Sequence, residues 1–269
     1  MTNLTLSTGA TVTVTSPTDD QHKFMLYFHG GGFVYGSKND LPQALAQHFL
    51  TAGYTILAVD YLLAPNHSLK EILTSIRQTF AELKQTMIKD APFSFCGRSA
   101  GGYAILSLTA HLLETEETLP ENLVNFYGYY DLDFINNPRQ LSDLTITSEM
   151  IATIDQESTV WDDPLLQRSV LYMYGVQQQK MAEFYQVTDE SMDDFAISQE
   201  QLKQFPRTFS TASTTDEEVP FKYSKSLKRL IPNCKFVPVY DLSHDFLKQP
   251  EHEQVQKVFT QLENWLQSN

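Results

Sequence analysis

The chain has 269 residues, with 33 acidic against 19 basic side chains, 42% apolar content and two cysteines. A net charge of −14 excludes the basic stripe that a nucleic-acid surface needs, and it would also repel an anionic membrane. The length suits one domain with an elaboration, because a single core still buries surface efficiently at this size.

In chain order, residues 1–18 carry neither the basic nor the apolar region of an export signal, and no apolar run approaches the roughly 20 residues that span a bilayer. A cytoplasmic protein without membrane insertion is expected, with Cys96 and Cys234 reduced in apolar strand contexts. An alternating strand at 11–15, suited to an edge or antiparallel place, precedes a near-continuously apolar strand at 24–28. A helix should follow Asp40 and close at Gly53, where glycine accepts the left-handed terminating conformation. A strand at 55–59 leads to a helix whose Leu69, Ile72, Leu73, Ile76, Phe80 and Leu83 share one face, with Ser68 and Glu71 as its capping box. A strand at 93–96, a helical run at 103–113 and a strand at 123–127 come next. Strands at 207–211 and 235–240 precede a C-terminal helix opened by Pro250, with Val255, Val258, Phe259, Leu262, Trp265 and Leu266 on its buried face. This alternation predicts the α/β class, a mostly parallel central sheet with helices on both faces.

Residues 131–204 break the alternation. They hold helical fragments, one expected over 164–174 between Asp163 and Gly175, and fourteen acids against the four bases Arg139, Arg168, Lys180 and Lys203. The segment is expected to be a helical cap inserted into a core made of residues 1–130 and 205–269. Its acids and aromatics read either as a solvated face over a small core or as the wall of a pocket. On the second reading Trp161 and Tyr172 line that pocket together with Phe33 and Phe246 of the core.

Chemistry concentrates in two glycine clusters. Gly97-Arg98-Ser99-Ala100-Gly101, followed by Gly102, lies between a strand and a helix, where a serine on a sharp turn needs small neighbours. His29-Gly30-Gly31-Gly32 follows the strand at 24–28, where bare amides can turn toward a developing oxyanion. Six of the eleven glycines lie in these two motifs, which a purely structural use of glycine would not produce. An attacking serine needs a base and an acid to orient that base, and in this chain order both follow the serine on late loops. Asp216 and His244 occupy those places. Glu217 and Glu218 are alternative acids, Asp241 or Asp245 could orient the histidine locally, and His252 is the only other histidine after Asp216.

The chain resembles a bacterial hormone-sensitive-lipase-like esterase/lipase of the α/β-hydrolase superfamily. Four blocks carry the likeness: His29 to Phe33, Asp60 to His67, Gly97 to Gly102, and the Asp216 and His244 loops. The resemblance implies the α/β-hydrolase fold, Ser99 as nucleophile, His244 as base then acid, Asp216 as orienting acid, and the amides of Gly31, Gly32 and Ala100 as oxyanion donors. It also implies that His29 braces the loop with Gly30, that Gly97 and Gly101 support the serine turn, and that His67 is structural. The pattern departs at Arg98, where the family usually has an acid, and at Leu62 and Asn66, where Arg and Glu are common.

The expected function is therefore hydrolysis of short-chain carboxylic esters, a small-molecule substrate handled without metal or cofactor. An acidic, aromatic cap should admit uncharged or cationic esters more readily than anionic ones. An amidase or formamidase on the same triad and a ligand receptor on a hydrolase scaffold are the alternatives. The oligomeric state is open, a homodimer being one option.

Overall fold

The computed structural model describes residues 1–18 and 22–268. Eight strands form one sheet: β1 (Thr2–Thr5), β2 (Thr11–Thr15), β3 (Lys23–Phe28), β4 (Tyr54–Val59), β5 (Phe93–Arg98), β6 (Asn122–Phe126), β7 (Arg207–Ser213) and β8 (Cys234–Val239). Their spatial order is β1-β2-β4-β3-β5-β6-β7-β8. β1 and β2 pair antiparallel and β2 meets β4 antiparallel, whereas every later pairing is parallel.

The central parallel strands β3 to β6 are buried on both faces, which explains the nearly continuous apolar runs of β3 and β4. Leu26, Phe28, Leu57, Val59 and Phe95 point into one core with residues of α2 (Leu69–Leu83), α3 (Ala100–Glu114) and α8 (Lys222–Leu230). Their neighbours Met25, Tyr27, Ile56, Ala58 and Cys96 point into the other, against α1 (Gln43–Thr51) and α9 (Glu253–Gln267). Such alternation follows from the two-residue period of a strand. The Ser68 capping box at the start of α2 is formed, with the serine side chain accepting from the Glu71 amide and Glu71 accepting in return.

Between residues 131 and 204 there is no strand, only α4 (Ser148–Ile151), α5 (Ser169–Gln177), α6 (Met181–Tyr185), α7 (Gln199–Leu202) and turns. Leu171, Tyr172, Phe184 and Tyr185 from this segment pack in the same core as Phe33 and Tyr103. Buried Arg168 fastens it: its guanidinium donates to the carbonyls of Val34, Ala64 and Asp155 and to Asn66 Oδ1, at 2.7–2.8 Å.

Two expectations need correction, and β1 lies outside the expected strands because its short, exposed pattern carries no periodic signal. Pro250 does not open the last helix; the His252 amide closes a turn onto Gln249, and the His252 ring then caps Gln254, so α9 starts at Glu253. The helix expected over 164–174 runs instead over Ser169–Gln177, because the Asp163 carboxylate accepts the Gln167 and Arg168 amides and holds 163–168 as a turn. Gly175 lies inside that helix; a Cβ there would come within 2.8 Å of Phe184 and 3.0 Å of the Met181 sulfur.

The turn that precedes α1 is anchored by charge. Asp60, fully buried at the end of β4, accepts from the Lys38 amide at 2.6 Å, from the Lys38 ammonium and from the Thr11 hydroxyl at 2.6 Å. Removing one partner of such a pair strands a buried charge, which typically costs about 3–5 kcal/mol. Asp60→Leu should accordingly lower urea stability by about that amount, and Lys38→Met added to it should recover much of the loss, as read from paired unfolding curves.

Candidate active site

The carboxyl ends of β3, β5, β7 and β8 lie along one edge of the parallel sheet, where loops of an open α/β sheet converge. Ser99 sits between β5 and α3 with φ 53° and ψ −117°, a backbone conformation that L-residues avoid. Its neighbours make the turn sterically feasible. A Cβ on Gly97 would lie 2.0 Å from the Gly101 carbonyl oxygen, and one on Gly101 would lie 2.1 Å from the Phe28 oxygen. The Ser99 amide is tied to the Phe126 carbonyl at 2.9 Å.

Ser99 Oγ is 2.9 Å from His244 Nε2. On the other side of the ring, Nδ1 lies 2.8 and 2.7 Å from the two Asp216 carboxylate oxygens. A carboxylate can only accept, so Nδ1 carries the proton, and in the neutral ring Nε2 is left to accept from the serine hydroxyl. Asp216 is itself fixed by the amides of Glu218 and Val219, at 3.0 and 2.8 Å. The Thr215 hydroxyl donates to the Leu242 carbonyl at 2.9 Å, joining the loop after β7 to the loop after β8.

The alternative acids take other positions. Glu217 accepts from the His244 backbone amide at 3.1 Å, and Glu218 accepts from the Tyr172 hydroxyl at 3.1 Å. Asp245 accepts from Arg98 at 3.1 Å and from the Tyr127 hydroxyl at 2.7 Å. The Asp241 amide donates to the Thr214 hydroxyl, and no contact joins Asp241 to the His244 ring among the described residues. His252 caps α9 and stays there.

The glycine loop leans over the serine. A Cβ on Gly30 would lie 3.4 Å from the Ser99 Cβ, and Gly31 has φ 96° with its Cβ position only 2.1 Å from the Tyr35 carbonyl oxygen. Among the described residues the Gly31 and Gly32 amides donate to no protein acceptor, and Ala100 is the first residue of α3, ahead of that helix's own ladder. Buried His29 stacks on Tyr61 at 4.1 Å, and its Nδ1 donates to the Gly30 carbonyl at 2.8 Å. His67 lies away from this cluster, beside Glu71.

The four aromatic candidates divide. Tyr172 lies over Gly32 and 5.6 Å from the Tyr35 ring, at the rim of the loop. Phe33 is instead fully buried among Tyr61, Tyr103 and Tyr185, and Phe246 is fully buried against Tyr127. Trp161 packs on Gly9 at the β1–β2 turn. Apolar side chains at these three places are claimed by the core or the sheet edge rather than by a ligand surface. The cleft beside Ser99 has a volume of about 110 Å³ and is lined by Tyr35, Tyr127, Leu166 and Glu218, none of which a motif pointed to.

Arg98 is 3% exposed and bridges Asp40 Oδ2, at 3.3 Å, to Asp245 Oδ2, at 3.1 Å. It therefore connects the turn before α1 to the residue that follows His244. Burial alone would raise the Asp245 carboxyl, yet Arg98, then Lys248 and the Tyr127 hydroxyl, hold it down at about 2. For His244 burial opposes the charged ring, but Asp216 and then Glu218 outweigh it and raise the imidazole from 6.5 to about 9. No group of three or more His, Cys, Asp or Glu side chains is placed to hold a metal among the described residues. Cys96 and Cys234 are both free thiols, and no helix is long and apolar enough to cross a membrane among the described residues.

A family model described as alpha/beta hydrolase fold matches residues 25–248. A crystal structure of an alpha/beta hydrolase superfamily protein from Enterococcus faecalis is 48% identical, superposes with a TM-score of 0.97, and covers 100% of this chain and 98% of its own. The esterase LipC of Mycobacterium tuberculosis is 26% identical over 154 residues, which cover 52% of this chain and 38% of that protein. An esterase from Acinetobacter venetianus is 28% identical over 110 residues, covering 41% of this chain and 36% of that protein. The chain thus spans little more than a third of the length of these curated relatives.

The His244 environment gives a direct test. A raised pKa means that the charged ring stabilises the fold fully below about pH 6.5, a contribution lost as pH climbs through about 9. An NMR titration should place the His244 midpoint near 9, and Asp216→Asn should bring it down to 6.5 or lower, since burial then acts with less opposition. A midpoint unmoved by that substitution would contradict the assigned cause.

Proposed function

The chain belongs to the alpha/beta hydrolase fold family, in its hormone-sensitive-lipase-like branch, and from that premise we propose that it is a serine hydrolase of short-chain carboxylic esters. The observation that carries this reading is the continuous hydrogen-bonded row from Ser99 through His244 to Asp216, set beside the glycine loop.

Ser99 Oγ attacks the ester carbonyl while His244 Nε2 takes its proton. The resulting imidazolium is stabilised by Asp216, which keeps its charge. The amides of Gly31, Gly32 and Ala100 receive the oxyanion, a duty for which donors not engaged elsewhere are pre-arranged. His244 then delivers the proton to the leaving alcohol, and a water molecule activated by the same ring releases the acyl group. Residues 131–204 act as a cap over this site, with Tyr172 and Tyr185 against Gly32 and Leu166 at the cleft. A cleft of about 110 Å³ is well below the roughly 300 Å³ of sites for drug-sized ligands, which favours acetyl or butyryl groups over long chains. At that cleft Asp40 and Asp245 are balanced by Arg98 and Lys248, whereas the Glu218 carboxylate has no cation paired with it among the described residues, which favours uncharged or cationic esters over anionic ones. Two free thiols fit a reducing, cytoplasmic setting.

Hydrolysis of p-nitrophenyl acetate, butyrate and octanoate should fall with chain length and vanish in Ser99→Ala. Turnover of octanoate equal to that of acetate would overturn the short-chain preference, and ester turnover surviving in the variant would overturn the nucleophile. Since proton abstraction needs a neutral ring, kcat/KM should rise with pH toward an inflection near 9. Gly31→Ala should lower turnover about 10² to 10³-fold, because it displaces an oxyanion donor at a position with φ 96°.

A further inference from the structure

We infer that a second cavity, lined by α2, α3 and residues between 186 and 201, binds a small organic monocarboxylate through Arg77. The cavity has a volume of about 530 Å³, in the range of small-molecule sites and larger than the cleft at Ser99. Arg77 and Lys70 stand two turns apart on α2, and Ser107 and His111 face them one turn apart on α3.

Arg77 is half-buried, its Nε is buried, and its side chain has no hydrogen-bond or ion-pair partner among the described residues. The Lys70 ammonium has no partner there either. A guanidinium loses hydration on burial and regains it only through acceptors, and its planar fork matches a carboxylate with two parallel hydrogen bonds. The surroundings select among anions. Glu114 and Asp194 border the same cavity, and Glu114 is engaged with the Gln201 amide at 2.8 Å. Two carboxylates at the border penalise a dianion such as phosphate more than a monoanion. Burial and then Arg77 push His111 below its ordinary pKa, so its ring supports the ligand as a neutral hydrogen-bonding group. Leu73 and Phe195 offer an apolar surface to the body of the ligand.

The wall nearest the serine turn is Tyr103. Its hydroxyl donates to the Phe195 carbonyl at 2.7 Å, and its ring packs edge-on against Phe33, which follows the glycine loop. A ligand here would therefore lie on the far side of Tyr103 from the Ser99 cleft, and this assignment does not depend on the reaction proposed above.

Isothermal titration of the full chain with sodium benzoate tests it, with sodium chloride and sodium phosphate at matched ionic strength as comparisons. Benzoate should bind one to one with a Kd of about 1 mM or tighter, unchanged after Ser99 has been blocked with a phosphonate. Arg77→Gln should weaken binding about tenfold, and Lys70→Gln, an exposed substitution that spares the fold, a few-fold. Absence of benzoate heat above chloride, equal affinity in both variants, or loss of binding on blocking Ser99 would overturn the site. Phosphate binding more tightly than benzoate would overturn the monocarboxylate assignment.

Discussion

Ser99 holds a positive φ that costs an L-residue about 1–3 kcal/mol, and the remaining geometry of the site is arranged around sustaining it. Strand β5 and helix α3 must meet at one residue without a connecting loop. This is feasible only because Gly97 and Gly101 leave room for backbone oxygens that a Cβ would strike at 2.0–2.1 Å. The same close approach brings β3 beside the start of α3, so the loop after β3 lies over the serine. Strain at Ser99 and proximity of Gly30 to it are thus two results of one packing constraint.

Charge then ties the distant loops to that turn. Asp60 anchors Lys38, Asp40 two residues on meets Arg98, and Arg98 meets Asp245, which follows His244. A buried guanidinium between two carboxylates has little freedom, because moving away from either leaves an acid facing the other. This arrangement also accounts for the departures from the family pattern. Where an acid usually precedes the serine, Arg98 is balanced by two acids from other loops. Where Glu is common, Asn66 accepts from Arg168, so the cation is supplied by the 131–204 segment.

Legibility followed the strength of the local constraint. The glycines at 30–32 and 97–102 could be read because steric exclusion allows very few residue types there, and the chain order of Ser99, Asp216 and His244 pointed to three side chains that the structure brings into one hydrogen-bonded row. β3 and β4 were equally legible, since burial on both faces demands nearly continuous apolar runs, while the more polar β7 and half-exposed β8 were read from the alternation of strand and helix patterns. Phe33, Trp161 and Phe246 could not be assigned this way, because an aromatic side chain satisfies a core and a pocket alike and only the tertiary contact decides. Arg98 was opaque for a related reason: its partners lie 58 and 147 residues away. The start of α5 was misplaced because the Asp163 side chain captured two amides that a helix would otherwise have used.

The 131–204 segment lines the cleft through Leu166 and is fastened close to it by Arg168. Arg168 spends its donors on the Val34 and Ala64 carbonyls, on Asn66 and on Asp155, which draws α5 down onto the loop that follows the glycines. Tyr172, one turn further along α5, then lies over Gly32 so closely that no Cβ would fit there, and its hydroxyl reaches Glu218 beside the Asp216 turn. One ring thereby spans the two loops that flank Ser99. Moving Tyr172 off both would expose a buried ring and free the Glu218 carboxylate that helps to raise His244. The packing of the 131–204 segment and the proton affinity of His244 are therefore coupled through a single side chain.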